Sequence, residues 1–171
     1  CDLLTGIDLA LDSLKSRKDI YLVTQPLAID NLDRFFLERL IYSDRIFVQQ
    51  ERLSWNDAWA SAAAADVGVA IYRNPAPQFQ NMGISSNRLC MFLAMGVPVI
   101  VNKQPSFDFL HEYECGIQVE TQDEFNDALE TILGDLERYK ANALRCTAEY
   151  IDTQGKYLVL KEAVYRALQR G

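Results

Sequence analysis

The chain of 171 residues contains a single histidine, His111. That scarcity excludes a His–His metal centre and weakens any local catalytic triad. The four cysteines, Cys1, Cys90, Cys115 and Cys146, are scattered, with no C-x-x-C pair and no metal-ligand spacing. Cys90 and Cys115 sit among apolar neighbours and read as small buried hydrophobes, which suits a reducing cytosol. No apolar run approaches the ~20 residues of a membrane-spanning helix, and no signal peptide opens the chain. Positive charge is in deficit: 17 Lys and Arg face 24 Asp and Glu, for a net charge of -7. A broad nucleic-acid-binding surface is therefore not expected, and any phosphate must be held locally by a few placed donors. The glycine-rich G-x-G-x-x-G fingerprint is absent, which argues against a nicotinamide dehydrogenase.

What is present is an ordinary globular composition, 49% hydrophobic and 24% charged, sufficient for one domain with a real core. Helix-like and strand-like stretches alternate almost throughout. The spacing predicts helices over 7–16, 31–42 (capped by Asp30), 55–64 (capped by Ser54), 87–95, 106–112, 122–133, 136–150 and 156–169. Strands are expected at 20–23, 46–48, 67–72, 97–101 and 116–119, and a loop at 73–84. Thr121 with Glu124 three residues on forms a capping box. Such βα alternation implies a doubly wound, Rossmann-like parallel sheet with helices on both faces. In such sheets ligands bind beyond the carboxyl ends of the strands.

One segment combines a polar start with an apolar body: "SSNRLCMFLAMGVPVIV", residues 85–101. Ser85 or Ser86 is a natural N-cap, Gly96 supplies a left-handed helix end, and Pro98 prevents continuation. Free backbone N–H groups at this helix start, with the helix dipole, suit an anion. Arg88 in the first turn adds a forked donor suited to phosphate. A cation there is disfavoured by the dipole by ~0.3–1 kcal/mol, a penalty that a bound anion reverses. The plainer alternative is that serine caps and Arg88 pairs with a surface carboxylate.

The segment resembles the "SPNKLFEYMAAGKPVI" signature of the C-terminal donor-binding domain of GT-B-fold glycosyltransferases of the group 1 type. The matching positions are Ser85, Asn87, Arg88 (for Lys), Leu89, Ala94, Gly96, Pro98 and Val99. "SWNDAWASAAAADVGVAIY" resembles the helix and strand before that signature, and "FDFLHEYECGIQV" and "DEFNDALETILGD" the elements after it. "TGIDLALDSLKS" resembles the helix that follows the domain's first strand. Together they cover roughly residues 5 to 135. The resemblance implies one nucleotide-sugar-binding domain over 1–171, with terminal helices at about 136–171. The start at Cys1 without methionine adds the expectation of a fragment of a longer, two-domain enzyme.

By the same resemblance, Ser85, Ser86, Asn87 and Arg88 face the diphosphate of a UDP- or GDP-linked donor. Gln50, Leu53, Tyr72, Asn81 and Met91 lie near the base and ribose. The implied reaction moves a hexosyl or related sugar to a glycan or lipid acceptor held by an N-terminal domain, as in polysaccharide biosynthesis. It needs no cofactor and no metal, and its place is the cytoplasm, at the inner face of the membrane through the full-length enzyme. No residue of this chain stands out as a catalytic base, which is expected on the other domain. The pattern also departs from the family's. Met91 stands where a ribose-gripping glutamate is usual, Gly83 where the broader superfamily has a partner acid, and Thr5 where a lysine often precedes Gly6. These departures support a rival reading as a degenerate, non-catalytic nucleotide-sugar-binding or protein-interaction domain. Elsewhere, His111 and Asp66 read as surface or turn residues, and "LKSRKD" at 14–19 as a helix end. Trp55 and Trp59, four apart, are expected to pack in a core or interface.

Overall fold

Val99, Ile100 and Val101 are fully buried on one strand, and their side chains divide between two apolar clusters. Period-two alternation sends Val99 and Val101 to one face and Ile100 to the other. A strand apolar on both faces needs a layer of helices on each side. The computed structural model describes residues 6–24, 44–49 and 53–152. Along them run α1 (Ile7–Ser16), β1 (Leu22–Thr24), β2 (Ile46–Val48), α2 (Trp55–Ala63), β3 (Gly68–Ala70) and α3 (Asn87–Ala94). Then follow β4 (Val99–Asn102), α4 (Phe109–Glu112), β5 (Gly116–Val119), α5 (Gln122–Gly134) and α6 (Leu136–Cys146). Single 3₁₀ turns occupy Pro77–Phe79, Gly83–Ser85 and Pro105–Phe107, and a π turn spans Thr147–Ile151.

Every strand pairing among the described residues is parallel: β1 with β2, and β3-β4-β5 in that order. On one face, Leu89 and Leu93 of α3, Phe109 and Leu110 of α4, and Ala143 and Cys146 of α6 pack on Val99 and Val101. On the other, Leu9 and Ala10 of α1 meet Phe125, Ala128, Leu129 and Ile132 of α5 over Ile100 and Val119. Leu22 packs against this second cluster and also against Ile7, Leu11 and Leu14 of α1, so α1 ties the two groups of strands together. The expected α/β class, with parallel strands and helices on both faces, holds.

The shifts in boundary have local causes. The third strand is shorter than its apolar run because the Tyr72 N–H leaves the ladder to donate to the Asn102 side chain at 2.7 Å. Strand β4 begins only at Val99, since Pro98 has no N–H; its carbonyl instead accepts from Gly68 N at 2.8 Å. The first strand lies at 22–24 rather than 20–23. The stretch 106–112 divides into a 3₁₀ turn opened by Pro105 and then α4. Helix α6 stops at Cys146 and widens into the π turn, whose Asp152 N–H donates to the Thr147 carbonyl. Gly96 has φ 72, with Gly96 N donating to Leu93 O (3.0 Å) and Val97 N to Phe92 O (2.9 Å). That is a Schellman end, which requires the left-handed residue. Cys1, Thr5, Gln50, the helix expected at 31–42 with Asp30, and that at 156–169 lie outside the described residues.

Cys115 and Cys146 are buried as free thiols, whereas Cys90 is only half-buried and donates to the Ile84 carbonyl at 3.3 Å. The Cys146 thiol beside it, together with burial, pushes the Cys115 thiol well up from its ordinary range. The tryptophans do not join the core. Trp55 is 65% exposed and meets Trp59 edge to face at 6.1 Å. The cause is α2 itself, whose one buried residue is Ala62.

Gly116 opens β5 where a Cβ would stand 2.6 Å from the Val99 carbonyl oxygen and 2.8 Å from its side chain. Backbone cannot yield as a flexible side chain can. Gly116→Ala should therefore cost about 1–3 kcal/mol, read as a lower midpoint in thermal unfolding; an unchanged midpoint would mean that β4 and β5 lie farther apart.

Candidate functional site

The parallel strands β3, β4 and β5 end on one edge, which places residues 71–73, 102–104 and 119–120 side by side. Helix α3 starts over this edge. Its N-cap is Ser86, 1% exposed, whose Oγ accepts from Leu89 N at 3.1 Å. The same oxygen lies 2.5 Å from the Tyr72 hydroxyl, so one part-buried contact joins the helix start to the strand end. The expected choice between Ser85 and Ser86 falls to Ser86. Ser85 is exposed in the preceding 3₁₀ turn, its hydroxyl donating to the Met82 carbonyl.

Asn87 and Arg88 hold the first two helical positions, both exposed. Their N–H groups point out of the first turn, where no intrahelical acceptor exists, and neither finds a partner among the described residues. The Arg88 guanidinium carbon lies 5.8 Å from the centre of the Tyr72 ring. Among the described residues no carboxylate pairs with it. The ring supplies a cation–π contact worth ~0.5–1 kcal/mol at an exposed site, and the guanidinium edges remain open to water. The plainer expectation, an ion pair at the surface, is thus not what this arginine makes with the described residues.

The loop before the helix is fastened from below. Gln104, 6% exposed, donates from Nε2 to the Phe79 carbonyl (2.8 Å), and its Oε1 accepts from Met82 N (2.9 Å). Phe79 in turn stacks on Tyr72 with ring centres 6.4 Å apart. Gly83 has φ 46, and its N–H donates to Ser106 Oγ at 3.1 Å. A Cβ there would meet Ser106 Cβ and carbonyl oxygen at 3.3 Å. Left-handed backbone and close packing both oppose an acidic side chain at this position.

Below Tyr72 lies a pocket of about 280 Å³, lined by Leu9, Ile71, Tyr72, Arg73, Asn102, Lys103, Val119 and Glu120. Arg73 Nη1 donates to both oxygens of Asp8, at 3.0 and 2.8 Å. Lys103 bridges Glu120 (3.3 Å) and Glu124 (3.1 Å). Backbone N–H groups of Glu120 and Thr121, with the Lys103 ammonium, hold the Glu124 carboxyl below the ordinary carboxylate range.

Of the residues expected at a site, the structure brings together Ser86, Arg88 and Tyr72 directly, with Ser85 and Asn87 adjoining in sequence. Met91 is half-buried three residues after Arg88, on a neighbouring strip of the same helix. Asn81 is exposed between the two 3₁₀ turns and makes no hydrogen bond among the described residues. Leu53 is half-buried just before the α2 cap. Gln104, Asn102, Arg73 and Lys103 were not anticipated; the polar run "NKQ" directly after an apolar strand was the available signal. His111 is exposed on α4, and Asp66 pairs with Lys140 at 3.2 Å, both as surface residues. Among the described residues no cluster of His, Cys, Asp or Glu could hold a metal ion, and no helix is long and apolar enough to cross a membrane.

Ser86→Ala removes the cap and leaves the Tyr72 hydroxyl without its partner. It should cost about 1–2 kcal/mol and lower the melting temperature by about 2–8 °C. Arg88→Ala should move it by no more than about 1 °C, because the cation–π contact it loses is offset by removing a cation from the positive end of the helix. Equal losses in calorimetric scans of the two variants would refute this division of labour.

The chain matches no protein-family model and no curated protein in sequence. Solved structures are similar in fold. The crystal structure of WaaG, a glycosyltransferase involved in lipopolysaccharide biosynthesis, has 18% identity and a TM-score of 0.64 over 85% of this chain and 40% of that one. HepE of Anabaena, in complex with UDP-glucose, has 13% identity and a TM-score of 0.71 over 100% of this chain and 47% of that one. The C-terminal domain of LpcC, a glycosyl transferase group 1 family protein of Francisella tularensis, has 17% identity and a TM-score of 0.64 over 90% and 83%. The chain thus spans less than half the length of the first two. Its fold is that of the GT-B glycosyltransferases, at the level of the C-terminal domain.

Proposed function

We propose that this chain is the nucleotide-sugar-binding domain of a glycosyltransferase, with the donor diphosphate at the start of α3. The observation that carries this reading is Arg88: a cation at a helix N-terminus, without a carboxylate among the described residues, held over Tyr72. A diphosphate there would meet the open N–H groups of Asn87 and Arg88, the positive end of the helix and a forked guanidinium. The GT-B fold and the UDP-glucose bound in HepE support the same assignment.

Negative charge grows on the leaving diphosphate as the glycosidic bond breaks. Donors already fixed by folding stabilise that charge without reorganising. Ser86 and Tyr72 act through position: they fix the helix start to the strand edge. The general base and the acceptor, a glycan or lipid, belong to a second Rossmann-like domain facing this one. That assignment is supported by the chain's spanning 40% and 47% of the WaaG and HepE chains. The base, uracil or guanine, would lie toward Leu53 and Gln50, and the ribose toward Met91. A thioether cannot accept as a carboxylate does, so the ribose is held less firmly than by a glutamate; a charged hydrogen bond is worth ~1.5–3 kcal/mol. Neither a cofactor nor a metal has a part in this scheme.

Arg88→Ala should weaken UDP or GDP binding about ten- to a hundredfold by loss of a charge-assisted contact. Arg88→Lys should retain part of the affinity, since charge survives and the fork does not. Isothermal calorimetry decides: affinity untouched in both variants would make Arg88 irrelevant to nucleotide and end the reading. With an added acceptor, the 171 residues alone should show no sugar transfer from any nucleotide-sugar, and turnover would disprove the need for a second domain.

A further inference from the structure

Three charged side chains line the pocket beneath Tyr72: Arg73, Lys103 and Glu120. Just outside the lining, Asp8 pairs with Arg73 and Glu124 with Lys103, so two cations meet three carboxylates and one negative charge is in excess around the pocket. A second phosphate or a carboxylate in that space would have to break an ion pair or sit against the excess. An uncharged polyol meets no such cost, because its hydroxyls can accept from the cations and donate to the carboxylates. The Asn102 side-chain amide, whose oxygen is committed to Tyr72 N at 2.7 Å, keeps its NH₂ as a further donor. Leu9, Ile71 and Val119 give the pocket an apolar floor.

Size points the same way. Pockets for drug-sized ligands run to ~300–1,000 Å³, and about 280 Å³ suits one ring better than a whole nucleotide. Tyr72 is common to both places: it lines the pocket and carries Arg88 over its ring. We infer that this pocket receives the sugar ring of the donor and selects an uncharged sugar over an acidic one such as a uronate. The inference rests on the reading of the α3 start as the diphosphate site.

The test is calorimetric titration of the 171-residue chain with UDP, UDP-glucose and UDP-glucuronate, repeated with GDP, GDP-mannose and its uronate. The uncharged sugar nucleotide should bind about five- to tenfold more tightly than its uronate. Glu120→Lys turns the local excess positive without touching the helix cap, and should narrow or reverse that ratio. Equal affinities in the native chain, tighter binding of the uronate, or a ratio unmoved by Glu120→Lys would overturn the inference. In those cases binding of UDP or GDP that is lost in Arg88→Ala leaves the diphosphate reading standing. Absence of binding by every nucleotide would remove that reading and the inference together.

Discussion

A single buried oxygen sets the geometry on which the rest of the site depends. Ser86 Oγ caps α3 by accepting from Leu89 N and lies 2.5 Å from the Tyr72 hydroxyl. Cap and strand end are thereby one rigid unit, because a hydroxyl buried to this degree cannot exchange its partners for water without cost. From it the other placements follow. Tyr72 is held under Arg88, Phe79 stacks on Tyr72, and Gln104 fastens the loop that carries Phe79. The exposed arginine is oriented by the ring below it, whose own position is fixed by the cap.

The elements legible in the sequence were those with strong local signals. Ser54 and Thr121 cap helices as their residue types require, and Thr121 with Glu124 forms the reciprocal box. Gly96 turns left-handed where a helix must end before Pro98. Ile46–Val48 and Gly116–Val119 are short apolar runs without rival readings. Tertiary partners decided the rest. Tyr72 leaves β3 because a side chain thirty residues away takes its N–H, and no window of sequence contains that acceptor. Trp55 and Trp59 share a helix face, but their spacing does not say whether anything lies opposite. At the site, Ser86 and Arg88 were readable from the capping pattern. The ion pairs of Arg73 and Lys103 span 65 residues and up to 21 residues of chain, beyond any local pattern.

A net charge of -7 is compatible with anion binding only if the favourable field is short-ranged. Screening at physiological salt acts over about 8 Å, so one guanidinium and a helix terminus can dominate their own surroundings while the wider surface stays acidic. The acidic surface would still slow the approach of a dianionic donor and discourage binding of nucleic acid. Gly83 adds a steric limit. Its left-handed backbone against Ser106 means that an acidic residue could not simply be introduced there; the 3₁₀ turn would have to change with it.

Both tryptophans of the chain lie on α2, the helix that buries only Ala62. Segments with few buried apolar contacts open at lower free energy than the core. Tryptophan emission therefore watches the described α-helix that buries fewest of its residues, while the layers around Ile100 contain no indole. A fluorescence melting curve would record the fraying of α2 in advance of the cooperative loss of the sheet, and hydrogen exchange or far-ultraviolet dichroism would be needed to see the latter.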